Sequence, residues 1–230
     1  MESYFGRTDQ EFLKRLVSAG VKVSHVFDIG ASNGIWSLTM AQTIPCATFD
    51  LFEPNESQQY AEMLKTTLEQ RPDFRMHRVG LGDRDTTLDL NLSRDHVGSS
   101  LLDWDGGYEK KRVPVRRLDR YVADKGLPSP DLIKMDTQGF ELRILAGGER
   151  ACAGAKALLI ETWLYRAYGG GTPLTAEIIE WLEPRGLVLC AFGDSWTDPD
   201  GKLISIDAYF LRKDVAAQVA AAESAQQPTN

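Results

Sequence analysis

Lys134, Asp136 and Glu161 are the side chains of this sequence best placed for acid–base chemistry. Asp136 closes an apolar run of strand length over 131–136, and Glu161 closes a second over 157–162. Residues two apart in a strand share a face, so Lys134 and Asp136 point the same way. A carboxylate at such a strand end can take a proton from a weak nucleophile such as an aliphatic hydroxyl. On that reading Asp136 is the base and Glu161 faces the same substrate. The competing reading is structural: one of the two carboxylates neutralises Lys134 as a buried ion pair. Two carboxylates can also share a divalent cation with waters. No third ligand stands at a fixed spacing, so no metal is expected.

A second constellation opens the chain's first strand–turn–helix. Asp28-Ile29-Gly30-Ala31-Ser32-Asn33-Gly34 follows the apolar run 25–29 and precedes a helix over about 34–43. This places the turn at the carboxyl end of a strand, where open α/β sheets bind ligands. Gly30 lets the backbone approach a ligand and Gly34 lets the helix pack on the sheet. A dinucleotide turn would need a second glycine at Ser32, and Asp28 would repel a pyrophosphate. The cationic ammonium and sulfonium of S-adenosylmethionine (SAM) have no such conflict. Glu53 ends the next strand, about 20 residues on, the distance at which an acidic residue accepts ribose hydroxyls. Dehydrogenases use the same device, so Glu53 discriminates only together with Asp28 and Ser32. Leu81 and Asp83, in the turn Gly80-Leu81-Gly82-Asp83, suit the face and amino group of an adenine, although an ordinary turn has the same composition. The expected cofactor site is Asp28, Gly30, Ala31, Asn33 and Gly34 from the first turn, Glu53 and Pro54 from the second, and Leu81, Asp83 and Asp136.

Two loops are candidates for the substrate. Arg94 to Tyr108 contains Ser99, Ser100 and Trp104, and Trp163 to Pro173 contains Tyr165, Tyr168 and three consecutive glycines. Aromatics beside a glycine hinge suit a lid that excludes water; a flexible surface crossover is the plainer alternative. Ser99, Trp163, Tyr165 and Tyr168 are the expected substrate contacts. Glu141 is a further one, with a helix-capping role as its rival, because it falls in the first turn of a helix. His96 is a lesser candidate base in the first of these loops.

These residues need a scaffold, and the strand–helix alternation supplies one. A helix over 9–19 is followed by strands at 25–29, 47–52, 74–79, 131–136 and 157–162, with helices over 34–43, after Pro54, over 139–146 and over 174–183. Such alternation predicts a parallel sheet covered on both faces. Segments 86–92 and 112–117 are expected as extra strands, and 187–192 with 204–211 as a closing pair. Residues 1–213 are expected to form one domain, with 214–230 a polar Ala/Gln-rich tail that can start as a helix and then frays.

Composition narrows the function further. With 230 residues, 43% of them hydrophobic, the chain can build one α/β core. The net charge of −7 disfavours a phosphate-gripping nucleic-acid protein. Lys110-Lys111-Arg112 with Arg116 and Arg117 is read as a solvated strand edge. No membrane span or signal peptide is expected. Three dispersed cysteines point to a reducing, cytoplasmic setting.

The segment Asp131-Leu132-Ile133-Lys134-Met135-Asp136-Thr137-Gln138-Gly139-Phe140-Glu141 resembles the signature of FkbM-type methyltransferases. Ile144-Leu145-Ala146-Gly147-Gly148 is similar to the helix end that follows it in that family. Leu118-Asp119 and Leu159-Ile160-Glu161 resemble flanking elements, so the likeness spans about residues 24–165. Gln138 departs from the pattern, where many relatives carry Glu. The resemblance implies a Rossmann-like class I methyltransferase fold with a seven-stranded sheet ending in an antiparallel strand. It also implies O-methylation of a small hydroxylated acceptor such as a sugar or a polyketide-type metabolite. The rivals are a nicotinamide-dependent oxidoreductase, a SAM-binding module without turnover, and a nucleic-acid methyltransferase.

Overall fold

The computed structural model describes residues 7–56, 58–94 and 98–226; His96 lies outside them. Strands β1 (His25–Ile29), β2 (Thr48–Phe52), β3 (Arg75–His77), β4 (Gly80–Gly82), β5 (Thr86–Leu92), β6 (Glu109–Arg117), β7 (Leu132–Met135), β8 (Ala157–Trp163), β9 (Leu187–Thr197) and β10 (Leu203–Arg212) form two sheets. The larger has the order β3-β2-β1-β7-β8-β10-β9, and the smaller the order β4-β6-β5. In the larger sheet β10 runs antiparallel to both neighbours, and the remaining strand pairs are parallel. The expected α/β class, with its antiparallel last strand, is what the chain adopts.

Helices α1 (Arg7–Ser18), α2 (Ile35–Thr43), α3 (Gln58–Gln70), α4 (Leu118–Lys125), α5 (Glu141–Gly147), α6 (Glu149–Gly154), α7 (Thr175–Leu182) and α8 (Lys213–Gln226) complete the fold. The period-2 alternation of the strands divides the core in two. Val26, Leu132, Leu159 and Tyr209 pack on one face with residues of α1, α2 and α8. Phe27, Ile133, Ile160 and Phe210 pack on the other with residues of α5, α6 and α7. Alternate apolar residues therefore bury both faces, as a covered parallel sheet requires.

Three expectations change. The strand expected over 74–79 is split: β3 ends at His77 in the larger sheet, and the chain enters the smaller sheet at Gly80. Arg78, between them, donates to the carbonyl of Asn55 at 3.1 Å. The segment after 213 stays helical as α8 through Gln226, further than expected. Its alanines favour a helix, and Val215 and Val219, four residues apart on one face, are buried. The basic residues of β6 lie on the middle strand of the smaller sheet, not on an edge. Two of them, Lys110 and Arg112, face Asp103 and Asp89.

Helix α4 escapes the sequence reading, although it explains Leu118-Asp119. Leu118 is fully buried. Asp119 accepts hydrogen bonds from the backbone amides of Arg150 and Ala151, both at 3.0 Å. The carboxylate thus satisfies orphan donors in the first turn of α6.

Candidate functional site

The strand alternation that builds the core also builds the site. Asp28 and Lys134 are register partners on adjacent strands β1 and β7, and Glu161 and Asp207 are partners on β8 and β10. Lys134 and Asp136 are two apart, and all these side chains sit on the α1 side of the sheet, near the carboxyl ends of its parallel strands.

Two cavities meet there. The first has a volume of about 320 Å³; its wall includes Gly30, Ala31, Asn33, Glu53, Pro54 and Leu81. Its far end is apolar, formed by Phe52, Val79, Phe140 and Ile144. The second, about 770 Å³, is walled by Glu161, Trp163, Tyr168, Trp196 and Asp207 among others. Trp36, Lys134, Asp136 and Gln138 belong to both walls.

The floor of the first cavity is the glycine turn. Gly30 has φ +77°, and a Cβ there would stand 1.9 Å from the carbonyl oxygen of Asp136, so only glycine fits. Gly34, with φ +75°, lies beneath the turn, facing Thr67. Ser32 also adopts a positive φ, of 49°, and its amide donates to Glu53 Oε2 at 2.9 Å. Glu53 Oε1 accepts from the amide of Asn55 at 2.8 Å. Burial raises the Glu53 carboxyl, and these two amides act against that. Each oxygen keeps a lone pair for a ligand hydroxyl.

Asp28 is displaced from its expected role. It is fully buried, takes a hydrogen bond from Ser37 Oγ at 2.7 Å, and lies 3.4 Å from Lys134 Nζ. It faces the lysine rather than the first cavity. Lys134 also reaches Asp136 at 3.4 Å and donates to the carbonyl of Gly30 at 3.0 Å. Burial works against the lysine's charge, but Asp136, Asp28 and Asp9 outweigh it and hold the ammonium above its ordinary value. Lys134 is therefore a fixed cation and not a base. The sequence posed base and ion pair as alternatives for Asp136; it lies 3.4 Å from Lys134 and still exposes 33% of its side chain.

Gln138 is the organiser that sequence reading treated only as a departure. Its Nε2 donates to Asp136 Oδ1 at 2.7 Å and to Glu161 Oε2 at 2.9 Å. Its Oε1 accepts from the Tyr168 hydroxyl. The residue has φ +56°, a conformation that costs about 1–2 kcal/mol outside glycine, and Ser100 Oγ fastens its carbonyl at 2.7 Å. Burial, followed by the charge of Asp136, drives the Glu161 carboxyl well above its ordinary range.

Other expected contacts move. Asp83 is exposed and outside both cavities. Ser99 lines the first cavity, not the second. Tyr165 is 47% exposed beneath Lys202, 3.3 Å from the ring centroid. Trp163 and Tyr168 do line the second cavity, and Tyr168 packs edge-on against Trp163 and Trp104, with ring centroids 5.4 and 4.8 Å apart. The two glycine-containing loops therefore pack against each other through aromatic rings.

Glu141 is buried behind the Gln138 turn. Its Oε1 accepts from Thr137 N, Thr137 Oγ1 and Gly139 N at 3.0, 2.9 and 3.1 Å. It shapes the turn and lines neither cavity. Burial pushes its carboxyl up to about 7 from the ordinary 4.5. The unfolded chain ionises first, so this contribution is fully present below pH 4.5 and lost as pH climbs through 7. It amounts to roughly 3 kcal/mol. Glu141→Gln is expected to flatten the pH dependence of stability across that window, read from denaturant midpoints. An unchanged slope would contradict the assignment.

Asp9, Trp36, Asp194, Trp196 and Asp207 were missed. Asp9, from α1, accepts from Trp36 Nε1 at 2.7 Å and from the Tyr209 hydroxyl. A polar Asp207 inside the apolar run of β10 was the one local signal. Among the described residues, no group of three or more His, Cys, Asp or Glu is arranged to hold a metal ion, and no helix is long and apolar enough to cross a membrane.

Comparison with known proteins fits this geometry. The 2-O-methyltransferase NoeI of Sinorhizobium fredii is 26% identical over 167 residues, covering 66% of this chain and 68% of NoeI. The solved methyltransferase FkbM of Methylobacillus flagellatus superposes with a TM-score of 0.53 at 19% identity, covering 81% of this chain. This chain spans 43% of that one. Magnesium protoporphyrin IX methyltransferase of Synechocystis, solved with bound SAM, superposes at a TM-score of 0.50 and 13% identity, covering 92% of this chain and 86% of that one. The model of the methyltransferase FkbM domain matches residues 28–189, and the chain belongs to that family.

Proposed function

We propose that the chain transfers the methyl group of SAM to a hydroxyl of a small polyhydroxylated acceptor. The observation that carries this reading is the shared wall. A cofactor in the smaller cavity and an acceptor in the larger one meet across Trp36, Lys134, Asp136 and Gln138. The residues fit SAM: the turn at Gly30 admits close approach, Glu53 suits the ribose hydroxyls, and the apolar end beside Leu81 suits adenine. When bound, SAM supplies an electrophilic methyl on a cationic sulfur. The chain's part is to hold the acceptor hydroxyl in line and to take its proton. Asp136 takes the proton; Lys134 and Gln138 fix its two oxygens, and Glu161 steadies Gln138 from the far side. The name of the NoeI relative supports oxygen as the acceptor atom. The net charge of −7 and the free cysteines support a small-molecule acceptor and a reducing, cytoplasmic setting.

Calorimetric titration tests the cofactor: SAM and its demethylated product, S-adenosylhomocysteine (SAH), should bind and NAD should not. NAD binding without response to SAM or SAH would overturn the reading. Glu53→Ala is expected to weaken SAH by about 1.5–3 kcal/mol, the worth of a hydrogen bond to a charged group. The substitution also releases the amides of Ser32 and Asn55, so melting is followed on the same sample. A folded variant with wild-type affinity would remove Glu53 from the ribose site.

A further inference from the structure

The larger cavity has a charge pattern that hydroxyl methylation alone does not require. Its wall carries five carboxylates, Asp9, Asp136, Glu161, Asp194 and Asp207, and one cation, Lys134. Lys134 is engaged by Asp28 and Asp136. Asp9, Glu161 and Asp207, from α1, β8 and β10, meet no other cation there among the described residues, and neither does Asp194 on β9. Their like charges oppose one another: burial first, and then Asp9 and Asp136, push the Asp207 carboxyl up to about 8. A wall of this kind is relieved by a ligand that brings positive charge. The aromatic rings add to the pattern. Trp163 and Tyr168 line one side, and Trp196, 54% exposed, stands among the lining residues of β9. Such rings pack on the C–H faces of a saturated ring and attract an ammonium. Asp194 is exposed, whereas Asp207 lies deeper, beside Glu161 and Ser205.

We propose that the acceptor is a polyhydroxylated ring bearing an ammonium group, an aminosugar or aminocyclitol, held through that ammonium by Asp207 and Asp194 while one of its hydroxyls meets Asp136. This rests on the methyltransferase reading above and narrows its acceptor. An acceptor carrying a carboxylate or phosphate near the reacting hydroxyl would face the same wall and be repelled. The Asp207 carboxyl, pushed up to about 8, carries a proton at pH 7, and arrival of the cation releases it.

The test uses the full chain saturated with SAH. Three probes are titrated at pH 7: the methyl glycosides of glucosamine, N-acetylglucosamine and glucuronic acid. The ammonium probe should bind about tenfold or more tightly than its N-acetyl counterpart, the size of one charge-assisted hydrogen bond, and the uronate should bind weakest. The heat of the ammonium probe should vary with the ionisation enthalpy of the buffer, reporting proton release. Asp194→Asn/Asp207→Asn should abolish the preference, with SAH affinity on the same sample reporting an intact fold. If the double variant fails to bind SAH, the exposed Asp194→Asn alone carries the comparison and should reduce the preference. Equal affinity for the first two probes, or no binding of the ammonium probe to SAH-loaded protein, overturns the inference and leaves the methyltransferase reading standing. Failure of the wild-type chain to bind SAH overturns both.

Discussion

Asp136→Asn is expected to slow methyl transfer by about 10²-fold or more, the usual contribution of a general base, while SAH affinity stays near wild type. Asp136 stands on the wall between the two cavities and keeps a third of its side chain exposed. Asn preserves the shape but not the basicity. Lys134 retains Asp28 at 3.4 Å, so the variant should fold with only a modest loss in melting temperature. Glu161 supplies an internal control. Part of what raises its carboxyl is the charge of Asp136, and that charge is gone in the variant. Residual activity should therefore rise with pH as Glu161 ionises, which a purely structural role for Asp136 would not produce. The measurement is single-turnover conversion of SAM to SAH with a hydroxylated acceptor, across pH, with melting followed in parallel. A folded variant with near-wild-type turnover would transfer the base role to Glu161.

The parts of this arrangement that sequence reading reached are those encoded locally. Apolar runs located the strands, and the glycines at 30 and 34 marked the turn, because a positive φ and a backbone approach leave a compositional trace. Asp136 and Glu161 stood out because each was expected to close a strand; Asp136 directly follows β7, whereas β8 runs past Glu161 to Trp163. What was lost depends on which strands are neighbours. Asp28 was read as facing a cofactor, but its partner is set by β1 lying beside β7, which makes Lys134 its register neighbour. Asp207 enters the larger cavity because β10 returns antiparallel alongside β8. Nothing within residues 203–212 reports that pairing. Gln138 was visible only as a departure from a family pattern. Its bridge between two carboxylates appears once the turn after β7 is folded. Glu141 stood between a ligand contact and a structural role at the helix start, and its carboxylate points back to the amides of Thr137 and Gly139.

Lys134→Met should have the largest effect on stability of any single change at the site, a loss of about 3–5 kcal/mol, the cost of leaving a buried charge without its partner. Asp28 is fully buried; the lysine at 3.4 Å and Ser37 Oγ at 2.7 Å are its polar partners. Burial already raises its carboxyl, with Lys134 the main opposing influence. Removing the lysine drives Asp28 further up, so the folded variant must either keep a proton on Asp28 or bury a bare charge. The sign follows: the unfolded chain releases this proton near its ordinary value, so the penalty is smallest at acid pH and grows as pH rises. Met matches the length of the lysine stem and can remain against Trp36, which limits any cavity. Asp28→Asn/Lys134→Met removes both charges and should recover a large part of the loss, giving a favourable coupling between the two positions of 0.5–3 kcal/mol, roughly the range for residues in contact. Denaturant unfolding of the wild type, both single variants and the double variant, at two pH values, measures the coupling and its pH dependence. A loss below about 1 kcal/mol in Lys134→Met, within the range of exposed ion pairs, would show that Asp28 finds another route to neutrality. In that case the Asp28–Lys134 pair contributes little to stability, and Lys134 acts chiefly through its contact with Asp136.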